Sequence, residues 1–141
     1  MTDLAAPLRA RIVAQAGNRC GYYQAHQQYV YKTLHIEPIE PRARGGSNEE
    51  ANRWLACALC NRATRDQTHG RGPATRRWVR LFNPRRQQWK RHFQWSEDGT
   101  EIIGRTVCGQ ATVEALHLNS DLAVLVCMNW IKVGWHPPMD S

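Results

Sequence analysis

His35-Ile36-Glu37-Pro38-Ile39-Glu40-Pro41-Arg42, then Gly45-Gly46, Asn52 and Cys57-Ala58-Leu59-Cys60-Asn61-Arg62, is the stretch on which the fold turns. Side chains alternate across a strand. Residues 32–39 therefore read as a strand with Leu34, Ile36 and Pro38 on one side and His35, Glu37 and Ile39 on the other. Pro41 ends that strand, and residues 42–48 form a glycine-rich loop. A second short strand is expected near residues 53–57. A helix then starts around Ala58 and carries Asn61 and Arg65 one turn apart.

The neighbouring segments extend this to an α+β chain. Residues 7–16 read as a helix: Pro7 suits the first turn, Leu8, Ile12, Val13 and Ala16 share a face, and Gly17 suits the position just past the end. Cys20 then falls on a turn. Residues 67–92 contain Pro73, Pro84 and several glycines and are expected to be partly loop. Residues 93–106 resemble a β-hairpin turning at Asp98-Gly99. Residues 111–118 and 121–133 read as two helices whose faces Val113, Leu116, Leu122, Val126, Trp130 and Val133 would form core. The tail from Gly134 reads as extended.

At 141 residues the chain fits one domain, with a core motif over about 18–66 and an extension over about 67–141. A hydrophobic fraction of 42% with six Trp is globular. There is no internal repeat. No apolar run approaches the roughly 18–20 residues that span a bilayer, and the first residues lack a signal-peptide layout, so a soluble, cytoplasmic protein is expected. The net charge is +7, and its distribution is uneven: residues 62–96 hold ten Lys/Arg against Asp66 alone. Such a stretch attracts a polyanion rather than a membrane interior.

The chemistry-bearing residues form two sets. Cys20, Cys57 and Cys60 have a spacing that favours a metal such as zinc over a disulfide in a reducing compartment, whereas Cys108 and Cys127 read as small core residues. His26 is a candidate fourth ligand at a longer spacing than knuckles use. Separately, a hard divalent cation wants oxygen donors, and Glu37 from the strand and the Asn61 carbonyl from the helix can supply them. Arg62, Arg65, Arg76, Arg77, Arg80, Arg85 and Arg86 are candidates for phosphate contacts, because a guanidinium offers a planar bidentate fork. Trp78, Trp89 and Trp95 lie among them; packing is expected of those rings in preference to base stacking.

Taken together, these residues resemble the HNH endonucleases, especially small bacterial members with a zinc knuckle. The similarity continues through Leu81-Phe82-Asn83-Pro84-Arg85, Trp89, His92-Phe93, Trp95, Gly109-x-Ala111-Thr112-Val113 and Gly134-Trp135-His136-Pro137-Pro138, so it covers nearly the whole chain. It implies a ββα-metal core with a helix before it and a hairpin plus helices after it. It also implies Mg²⁺- or Mn²⁺-dependent cleavage of DNA. Glu37 and Asn61 fall at the family's metal-ligand positions, Asn52 at the Asn that orders the loop, and Arg65 near the scissile phosphate.

Two positions depart from that pattern. Pro38 stands where the resemblance places the general-base His, and proline cannot take a proton from water. Tyr23 stands where the first knuckle has its second Cys. His35, two residues before Glu37 on the same strand face, is a candidate metal ligand or a base acting from a shifted position, against the plainer role of hydrogen-bonding the loop. The expectation is therefore an HNH-type nuclease domain of weakened or lost activity. The alternatives are a nuclease-derived module that binds nucleic acid without cutting it, or a structural protein whose basic face meets an acidic partner.

Overall fold

The computed structural model describes residues 5–138. The chain is mixed α+β, with small antiparallel sheets of two strands each. It divides after Asp66 into two compact units.

The first unit opens with α1 (Ala6–Gln15), one residue earlier at each end than expected, with Pro7 in its first turn. Gly17 takes a left-handed φ of 64°, reversing the chain past the helix end. Ile12 is the fully buried residue of α1, which lies against β2. β1 (His35–Pro38) and β2 (Arg53–Ala56) pair antiparallel, with His35 opposite Ala56 and Glu37 opposite Trp54. β1 is shorter than expected at its start, because the Leu34 N–H is taken by the Gln27 side chain at 2.7 Å instead of by a ladder partner. Asn52 closes the loop between the strands: its Oδ1 accepts from Glu40 N at 2.8 Å, and its Nδ2 donates to Glu40 O and Ser47 O. α2 (Ala58–Thr64) follows β2 at once and packs against β1.

The second unit holds two hairpins and the C-terminal helices. β3 (His69–Arg71) pairs with β4 (Trp78–Arg80) in a segment where the sequence suggested loop; strands of three residues between glycines and prolines leave no readable alternation. α3 (Trp89–His92) leads into β5 (Phe93–Trp95), which pairs with β6 (Ile102–Gly104) as a hairpin. Its turn is set by Gly99 at φ 77° and by Asp98 Oδ1, which accepts from Ser96 Oγ, Thr100 N and Thr100 Oγ1. α4 (Val107–Leu116) begins earlier than expected, since Thr106 caps it by accepting from Gly109 N. Ser120 caps α5 (Asp121–Lys132) in the same way.

The core of this unit gathers Phe82, Trp89, Phe93, Ile102, Leu116 and Leu118. Fully buried Thr112 ties it together, accepting from Phe82 N and donating to Cys108 O. Cys127 is buried and Cys108 half-buried. Two residues expected in the core are not there: Leu122 and Val133 are each 59% exposed. α5 turns its small residues Ala123 and Cys127 inward, leaves Val124, Val126 and Trp130 half-buried, and exposes Leu122, Leu125 and Met128. No single helix among the described residues is long and apolar enough to cross a membrane.

α4 and β6 meet through glycines. A Cβ on Gly104 would collide with the backbone of Gly109 and Gln110, and one on Gly109 would collide with the His92 carbonyl. Gly109→Ala should therefore cost about 1–3 kcal/mol, the usual range for overpacking. Urea unfolding would show this as a lower midpoint, and an unchanged midpoint would mean that α4 does not approach the His92 carbonyl so closely.

Candidate functional site

Local folding brings the three cysteines together. Cys20 sits on the turn after α1, where its N–H donates to Ala25 O and its sulfur accepts from Tyr22 N at 3.5 Å. Cys57 is the N-cap of α2, and its sulfur accepts from Cys60 N at 3.5 Å. The three sulfurs lie within 4.8 Å of one another, and the group could hold a metal ion such as zinc. Backbone N–H groups aimed at sulfur favour thiolate over thiol.

The thiols are electrostatically unequal. Hydrogen bonds from Cys20 and Cys60 lower the Cys57 pKa to about 3. Burial pushes Cys20 up to about 12 and raises Cys60 as well. The protein alone thus stabilises one thiolate between two thiols, and a soft cation would displace the remaining protons. Among the described residues no further His, Cys, Asp or Glu joins the group. Tyr23, in the place of a fourth ligand, is buried. His26 lies outside the group of ligand atoms, and its Nδ1 caps a 3-10 turn by accepting from Gln28 N.

Glu37 lies beside this cluster. The residue is 9% exposed, and its carboxylate, which keeps some access to solvent, makes no hydrogen bond or ion pair among the described residues. Burial, and then the charge of Cys20, raise its pKa to about 8. Tyr22 is buried near Glu37. Its hydroxyl hydrogen-bonds Thr64, and its pKa is raised by burial first and then by the charges of Glu37, Cys60 and Cys20. The adjacency of a neutral tyrosine to the site leaves no trace in the sequence.

The other expected residues are distributed as follows. Asn61 is half-buried on α2, and its side chain makes no hydrogen bond among the described residues. Asn52 spends its amide on the loop, so it is a positioning residue. His35 and Pro38, at the ends of β1, are exposed. Arg62 and Arg65 are exposed at the end of α2. In the second unit Arg76, Arg77 and Arg80 belong to the β3–β4 hairpin, and the backbones of Arg85 and Arg86 donate to Asn83 Oδ1. Of the three tryptophans expected to pack, Trp89 is buried and Trp95 half-buried against it, with ring centroids 5.3 Å apart. Trp78 does not pack: it is 66% exposed, because its strand position turns it away from the hairpin's inner face.

Comparison with protein-family models, with curated proteins and with solved structures found no match.

The Glu37 environment has a pH signature. Its folded pKa lies above the ordinary value of 4.5, so the folded protein holds a proton that the unfolded chain releases. In chelator, wild type should lose stability relative to Glu37→Gln as pH rises from about 4.5 to about 8, and the gap should level off beyond that. Thermal melts across this window test it; a gap that stays constant with pH would show that Glu37 is not desolvated as described.

Proposed function

We propose that the first unit is the ββα-metal core of an HNH-type endonuclease acting on DNA, with a damaged base position. The observation that supports this reading is Glu37, largely buried on β1 with no protein hydrogen bond to its carboxylate, and the Asn61-bearing α2 packed on that strand. Partial desolvation of a carboxylate that no protein donor reaches favours a cation or a proton beside it. The donor set suits a hard ion: a carboxylate and an amide carbonyl, the chemistry of a Mg²⁺ or Mn²⁺ site. When bound, such an ion would neutralise charge on the phosphate and on the leaving oxygen.

The chain's own residues then divide the remaining work. Glu37 and Asn61 hold the cation. Asn52 fixes the loop that connects the two strands. Arg65 and Arg62 offer exposed guanidiniums to the phosphodiester. The three cysteines and Tyr22 brace α2 against the Cys20 turn, with zinc reinforcing the thiolates where it is bound. Position 38 holds proline, which has no group able to take a proton from water. Loss of a general base forfeits about 10²–10⁴-fold in rate. Pro38 thus favours a second reading, a module that grips nucleic acid with little or no cutting.

Supercoiled-plasmid nicking with Mg²⁺ or Mn²⁺ tests the proposal. Pro38→His should raise the rate by about 10²-fold or more, and Glu37→Ala should abolish nicking in that background. No gain from the histidine would remove the nuclease reading. Tyr23→Cys should complete a four-thiolate site, bind zinc at one equivalent and raise the melting temperature. Unchanged zinc content would mean that position 23 does not face the sulfurs.

A further inference from the structure

The β3–β4 hairpin displays a face that the nuclease core does not use. The register places Arg71 opposite Trp78 and His69 opposite Arg80, so these four side chains share one face, and Gly70 and Val79 share the other. The inner face is closed: a Cβ on Gly70 would press on Leu81, Ala111 and Ala115 at 3.0–3.3 Å, with α4 lying against β3 and β4. On the outer face Arg71, Trp78 and Arg80 are exposed.

Leaving an indole 66% exposed forgoes the gain of burying a large apolar surface. The Arg71 guanidinium carbon lies 5.7 Å from the ring centroid, which steadies the indole from the neighbouring strand. The connecting turn adds Arg76 and Arg77, both exposed, and is closed by Gly72 N donating to Arg77 O and Arg76 N donating to Gly72 O. Arg76 occupies a left-handed φ of 58°, a conformation glycine would adopt without strain, so the turn carries charge at a conformational cost. No acidic residue occurs anywhere between positions 67 and 96.

An exposed aromatic ring flanked by guanidiniums has a specific complement. Bases in a duplex are stacked on one another and offer no free face, whereas an unpaired base does, with phosphates on either side of it. We propose that the β3–β4 hairpin is a stacking platform for unpaired DNA, in which Trp78 stacks on a base and Arg71, Arg76, Arg77 and Arg80 contact the flanking phosphates. The choice of DNA rests on the endonuclease reading given above; the platform itself does not require cleavage.

The test uses the full chain and a fluorescently labelled oligothymidine of roughly ten nucleotides, within the usual site size. Fluorescence anisotropy would compare it with a duplex of the same length. Trp78→Ala should weaken binding of the single strand about tenfold and leave duplex binding unchanged, and Trp78→Tyr should restore most of the loss. The intrinsic Trp fluorescence quenched by the oligonucleotide should fall with Trp78→Ala. Equal binding by wild type and Trp78→Ala overturns the platform, as does an equal loss on both substrates or no rescue by tyrosine. Tighter binding of oligouridine than of oligothymidine overturns the assignment to DNA. Plasmid nicking by the Pro38→His protein, run in parallel, separates the two claims. Absent nicking with Trp78-dependent binding removes only the nuclease reading, and nicking with Trp78-independent binding removes only the platform.

Discussion

A largely buried carboxylate beside a cluster of thiols is the constraint that organises the first unit. Glu37, Cys20, Cys57 and Cys60 are gathered where β1, the turn after α1 and the start of α2 come together, and all would carry the same sign of charge if ionised. In a poorly solvated site like charges cannot coexist without compensation. Protons supply it in the bare protein, which is why Glu37, Cys20 and Cys60 are all pushed upward. Cations would supply it more strongly. A hard ion suits the oxygen side of the site, and a soft ion the sulfur side. Tyr22 is hydrogen-bonded to Thr64 on α2 and within the field of both groups.

Rigid supports surround this point. Asn52 satisfies all its amide groups on the Glu40 and Ser47 backbone, so the long connection between β1 and β2 cannot drift without breaking three hydrogen bonds. Cys57 starts α2 immediately after β2, so the register of the hairpin determines where Asn61 emerges. Arg11 and Gln15 of α1 hold Glu50, beside the same loop. The second unit is built on a different device, the close approach of α4 and β6 at Gly104 and Gly109, and it presents its basic hairpin outward from a well-packed aromatic core.

Much of this was legible in the residues, and the reasons are physical. Pro7 and Gly17 mark the ends of α1 because each has one backbone preference that other residues lack. Asp98-Gly99 marks its hairpin for the same reason, and the Cys57–Cys60 spacing marks a turn that points two sulfurs one way. Other features were hidden. The start of α4 depends on a Thr106 cap outside the apolar run that was read as the helix. Leu122 and Val133 fit the period of a buried face, but α5 buries its small residues instead. Trp78 and Trp89 look alike in composition, and only the strand register sends one outward while the other packs on Phe93. The place of Tyr22 beside Glu37 is a tertiary fact without a local signal.

The most direct measurement is anomalous diffraction from crystals of the protein soaked in Mn²⁺. A peak bridging a Glu37 carboxylate oxygen and Asn61 Oδ1, at roughly 2.1 Å from each, is the result this account requires. A map in which those two side chains point apart, with manganese bound elsewhere or nowhere, would contradict it.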